Sequence, residues 1–99
     1  MILFNIIQSD EKKAEEMSSF LIQKTYALQT HIDVNTLLTI DSKKKTIRLF
    51  FVTKALLYSI IEKDIKDQFF SDDMIMYATP ISHINEELGE ILRAKLKAV

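Results

Sequence analysis

Apolar positions along this chain recur at a period of two, then about 3.6, then two again, and these changes mark out its elements. Ile2 to Gln8 is rich in branched apolar residues and stops at Ser9-Asp10-Glu11, where Ser9 or Asp10 can accept from the free amides of a helix start. From Glu11 to Lys24 the positions Ala14, Met17, Phe20 or Leu21 and the stem of Lys24 return at helical spacing, with Lys12, Lys13, Glu15 and Glu16 outward. Tyr26, Leu28, Thr30, Ile32 and Val34 then alternate with Ala27, Gln29, His31 and Asp33, the pattern of a strand with one drier face. Asp33 or Asn35-Thr36 can break or bulge this strand before Leu37-Leu38-Thr39-Ile40 resumes it, and Asp41 to Lys45 supplies turn chemistry.

The return strand, Thr46 to Thr53, is almost unbroken in its apolar character, which predicts a central strand or one with a face against another subunit. Thr53 can cap a second helix carrying Leu57, Ile61, Ile65 and Phe69 four apart, and Ser71-Asp72-Asp73 makes a loop. Met74 to Thr79 reads as a strand closed by Pro80, the only proline, because proline cannot donate to a sheet ladder. Ser82 opens a last helix with Ile84, Leu88, Ile91, Leu92, Leu96 and Val99 on one stripe, Glu86 and Glu87 in its first turn, and Lys95 and Lys97 near its end.

The order is strand, helix, strand, strand, helix, strand, helix. With right-handed crossovers, two βαβ-type units sharing a hairpin predict an α+β fold of the ferredoxin-like βαββαβ kind. Its four-stranded antiparallel sheet has helices on one face, with one additional C-terminal helix. The 99 residues are expected to form a single domain over 1–99. Leu3, Arg48, Phe50 and Val52 fall on the second sheet face, and so apolar a face favours oligomerisation over a free monomer.

Charge adds little steering. Thirteen basic and fourteen acidic side chains leave a net charge of -1, so neither a nucleic acid nor a membrane is expected as partner, and Lys43-Lys44-Lys45 is read as a solvated hairpin tip. No cysteine is present, which removes disulfides and thiolate sites and fits a reducing compartment. With no leader-like or spanning stretch in these residues, a cytoplasmic location is expected.

Chemistry-bearing residues are few. His83 stands three and four positions before Glu86 and Glu87, so imidazole and carboxylates can share a divalent ion such as copper or zinc, although carboxylates in a first helical turn also favour the helix dipole. His31 is a lone strand histidine, usually solvated or hydrogen-bonded. Asp72-Asp73 can chelate a hard cation or make a turn, Asp10-Glu11 can be a helix start or an acid/base pair, and Met17, Met74 and Met76 can fill a core or meet a soft metal. No serine, histidine and acid are spaced as a nucleophile would need, so no catalytic residue is assigned.

The run Leu49-Phe50-Phe51-Val52-Thr53-Lys54-Ala55-Leu56, followed by Met76-Tyr77-Ala78-Thr79-Pro80-Ile81 and by Leu88 to Leu96, resembles the C-terminal half of the CutA divalent-cation-tolerance family. Asn5 to Ala14 resembles the family's first strand and helix start, so the likeness covers most of the chain. It implies a PII-like, non-enzymatic homotrimer whose second and third strands, here roughly Ile32 to Phe50, extend as a hairpin joining neighbouring subunits. It also implies a part in divalent metal tolerance, or small-ligand binding at subunit clefts. The family's His-Pro-Tyr-Glu-like loop is replaced by Gln68 to Met74, and its hairpin tryptophans and a cysteine proposed as a copper ligand are absent. Two other readings of the residues are a dimeric α+β barrel enzyme acting on a small apolar substrate, and a structural interaction module without a ligand.

Overall fold

A computed structural model describes residues 1–99. In chain order it holds β1 (Ile2–Gln8), α1 (Glu11–Gln23), β2 (His31–Leu38), β3 (Lys43–Thr53), a 3-10 turn (Ala55–Leu57), α2 (Tyr58–Phe69), β4 (Ile75–Pro80) and α3 (Glu86–Lys95). The sheet order is β2-β3-β1-β4 with every neighbouring pair antiparallel, which is the expected ferredoxin-like α+β topology with one further helix.

Side-chain alternation gives the sheet two different faces. On one, Phe4 and Ile6 of β1 lie opposite Phe51 and Leu49 of β3, and Met17 and Leu21 of α1 with Ile61 and Ile65 of α2 cover them to form the main core. Phe4 stacks on Phe51 and on Tyr58 at centroid distances of 5.1 and 4.9 Å. Met17 is fully buried in this core, and Met74 and Met76 pack against it, so the three thioethers serve as filling.

Several boundaries differ from expectation. Alternation from Tyr26 placed the second strand's start there, but β2 begins at His31. Thr25 takes a left-handed backbone, φ 57°, ending α1 and turning Tyr26 and Ala27 into the core, where Tyr26 Oη donates to Asp64 Oδ2 at 2.5 Å. The ladder from His31↔Phe50 to Leu38↔Lys43 then runs without a bulge. The hairpin tip is Thr39 to Ser42, closed by the Thr39 amide donating to the Ser42 carbonyl at 2.8 Å and the Ser42 amide to Thr39 Oγ1 at 3.0 Å. Lys43, Lys44 and Lys45 therefore lie within β3, not in the turn.

Asp10 caps α1, accepting from the Lys13 amide at 3.1 Å. Thr53 does not cap α2; fully buried, it donates to the Tyr26 carbonyl at 2.7 Å, and the 3-10 turn leads into the helix. α3 starts at Glu86 rather than Ser82, with no side-chain cap on Asn85, and it ends at Lys95, so Val99 falls beyond the helical stripe. Pro80 is the last residue of β4, an edge strand.

Every residue of β2 is exposed, including Ile32, Val34, Leu37 and Leu38. Its β3 partner is exposed only over Lys43 to Lys45, so just the outer end of this hairpin extends beyond the core. The molecule measures 45 × 27 × 19 Å with a radius of gyration of 14.0 Å, above the ~13 Å of a compact chain of this length. No helix is long and apolar enough to cross a membrane.

Candidate functional site

The second sheet face carries a mixed cluster. Alternation puts Leu3, Asn5 and Ile7 of β1, Arg48, Phe50 and Val52 of β3, and His31 and Asp33 of β2 on it. Asn5 is 1% exposed among the apolar residues Ile2 to Ile7, and its Oδ1 accepts from Arg48 Nε at 2.8 Å. The Arg48 guanidinium also lies 4.1 Å from the centroid of the Phe50 ring and 3.6 Å from Asp33 Oδ2 across the strand pair. His31 stacks on Phe50 at 5.0 Å with an 18° interplanar angle. A ring between a guanidinium and an imidazole is a fixed platform, since each contact limits the others' rotamers.

Beside this cluster is a cavity of about 400 Å³. Leu3, Phe50 and Val52 supply its floor, Leu88, Ile91 and Leu92 of α3 one wall, and Leu28, Gln29 and His31 the remainder, while Phe51, whose ring belongs to the main core, also borders it. Thus α1 and α2 cover one face while α3 approaches the other. Leu92 and Leu96 are buried there, Ile91 is 46% exposed, and the main chain of Lys97 is tied back by its amide donating to the Thr25 carbonyl at 2.9 Å.

His31 is exposed and borders the cavity, the one sequence candidate that falls at this site. The others lie elsewhere. His83 is exposed in the connection after β4, and Glu86 and Glu87 are exposed in the first turn of α3. Glu87's carboxyl is held below the usual glutamate range by its own backbone amide first and then by Asn85, whose Nδ2 donates to it at 3.4 Å. Within one chain no three His, Cys, Asp or Glu side chains gather as a metal site. Asp73 clamps its loop, accepting from Ser9 Oγ at 2.6 Å and Ser71 Oγ at 2.9 Å, and these two bonds lower its pKa. Asp10 is a cap, and Glu11 pairs with Lys45 at 3.4 Å, so they do not form an acid/base pair.

Leu3, Arg48, Phe50 and Val52 were anticipated on this face; Asn5, Gln29 and the α3 wall were not. A signal for Asn5 existed, a lone amide among the apolar residues Ile2 to Ile7. For Gln29 none did, because it lies in the connection that the alternating pattern made a strand.

No family model matches the sequence, and no curated protein matches it. Solved structures do. CutA1 from Pyrococcus horikoshii superposes with a TM-score of 0.89 over 99% of this chain and 100% of its own, at 16% identity. The periplasmic divalent cation tolerance protein CutA from Archaeoglobus fulgidus gives 0.81 over 98% and 100%, at 14% identity. CutA from Synechococcus elongatus, complexed with a Bis-Tris molecule, gives 0.86 over 96% and 92%, at 12% identity. The chain has the CutA fold from end to end, at identities where sequence alone carries little.

Proposed function

We propose that this chain is a divergent CutA-like protein, non-enzymatic, that assembles as a homotrimer and binds a small ligand or divalent ion where subunits meet. In the cell it would contribute to divalent-cation tolerance. The supporting observation is the end-to-end likeness to proteins bearing that name. Exposed aliphatic residues on both faces of β2 support assembly, because an unpaired edge strand bearing Ile32, Val34, Leu37 and Leu38 invites pairing with another chain. Nothing in the second-face cluster provides a nucleophile with an adjacent base, which supports a binding role over catalysis.

A metal ion in this reading draws on His83, Glu86 and Glu87 together with donors from a neighbouring copy, since borderline cations take imidazole and carboxylate in sets of about four. The cytoplasm is the compartment we infer, on the lack of cysteine. Size-exclusion chromatography with light scattering tests the assembly: three chain masses support it, and a dimer or stable monomer refutes it. Calorimetric titration with Cu²⁺ and Zn²⁺, repeated on His83→Ala, tests the ion. Heat from wild type that is lost in the variant supports these ligands, and unchanged heat removes them.

A further inference from the structure

His31 is one of two histidines in the chain, and histidine is the side chain that ordinarily changes charge between roughly pH 5 and 8. It opens β2 opposite Phe50, and its ring lies nearly parallel to the Phe50 ring at 5.0 Å. Around this pair the second sheet face is apolar: Leu3, Phe50, Val52 and Leu88 are half-buried and Ile91 is exposed. Another chain that packs on Phe50 therefore meets the imidazole as well. The charges around His31 follow element by element. From β3 comes Arg48, whose guanidinium packs on the same Phe50 ring. From β2 comes the carboxylate of Asp33, which already faces Arg48 at 3.6 Å. α3 brings Leu88, Ile91 and Leu92, and the connection before β2 brings Leu28 and Gln29, none of which ionises. A protonated His31 is thus a second cation with no carboxylate of its own. Hydrated in the single chain, that cation is well tolerated; covered by another chain beside Arg48, it loses its water and gains no partner.

We propose that a proton on His31 controls the assembly of this chain: the neutral imidazole lets a second copy cover Phe50 and the apolar surface around it, and the imidazolium opposes that cover. Assembly then releases the proton. Its stability is complete above the ordinary histidine range and is lost as pH falls through that range, because the separated chains bind the proton and the covered face excludes it. This device rests on the reading of the chain as a homotrimer and adds the regulation of that assembly.

The test is light scattering of the full chain over a range of concentrations at about pH 7.5 and about pH 5.5, reading the concentration at which half the chains are trimeric, with circular dichroism confirming the fold at both. One unit below the ordinary histidine midpoint of ~6.5, proton exclusion costs about tenfold per chain and about a thousandfold for three. Because that constant scales with the square of concentration, the half-assembly concentration should rise about thirtyfold at the lower pH. His31→Phe keeps an aromatic ring on Phe50 but carries no proton, and its half-assembly concentration should be the same at both pH values. If circular dichroism shows that variant unfolded, His31→Gln takes its place. A wild-type trimer with no such rise, or a rise that persists in the variant, overturns the switch and leaves the assembly standing. Wild type and variant that both fail to form a trimer at either pH reject the assembly reading, and the switch with it.

Discussion

Leu92 and Ile91 are neighbours in sequence on α3, and truncating each to alanine should have very different costs in the single chain. Leu92 is 3% exposed and Ile91 46% exposed. For Leu92 the lost transfer energy and the void combine to about 2–3 kcal/mol, the lower part of the usual range, since the residue already borders a cavity that can relax or hydrate. For Ile91, three carbons at ~0.8 kcal/mol each and half buried give about 1.2 kcal/mol. The gain in helix propensity on replacing a β-branched residue by alanine lowers this to roughly 0.8 kcal/mol. Urea unfolding followed by circular dichroism at high dilution, with both variants analysed at a common slope, measures the difference. Equal costs for the two would refute the placement of α3, because they would mean that the stripe is packed uniformly and Ile91 has no exposed side. A cost for Ile91→Ala that rises with protein concentration would instead show a second chain covering it.

Three further outcomes follow from the fold. Pro80→Ala should change stability by no more than about 1 kcal/mol by urea unfolding, since the residue ends an edge strand and donates no ladder bond. Gly89→Ala should raise stability by about 0.5–1 kcal/mol, because the glycine is inside α3 and its new Cβ would meet Arg93 Nη1 at 3.2 Å, a flexible group that can swing away; a loss would show that the arginine is pinned. Tyr26 is pushed up to about 12 by burial first and then by its hydrogen bond to Asp64. A raised phenol pKa favours the protonated folded state, so its stabilisation is complete below pH ~10 and is lost as pH climbs toward 12. Urea midpoints across that range should fall more steeply for wild type than for Tyr26→Phe.

The sequence by itself determined the order of elements and, through it, the sheet topology. Periods of two and 3.6 report which residues share a face, and Pro80 or Asp10-Glu11 mark ends by local hydrogen-bonding rules that need no distant partner. The apolar Thr46 to Thr53 run was legible as a central strand for the same reason. Where tertiary contacts outweighed local pattern, the reading failed. Tyr26 and Ala27 alternate like a strand, yet a left-handed Thr25 and a bond to Asp64, 38 residues away, bury them in a connection. Thr53 looks like a cap, but its hydroxyl reaches Tyr26 across the core.

The candidate site was hidden for the same physical reason. Leu3, Asn5, His31, Arg48 and Leu88 belong to four different elements, and no spacing rule joins them. Only the register of β1 and β2 against β3 puts Asn5, Asp33, Arg48 and Phe50 on one face, and only the return of α3 closes a cavity beside them. By contrast, His83, Glu86 and Glu87 lie within five residues of one another, which made them visible as candidates from spacing alone, while within one chain no three such side chains gather as a metal site. Faces and ends are encoded locally; which faces meet is settled by packing between residues far apart.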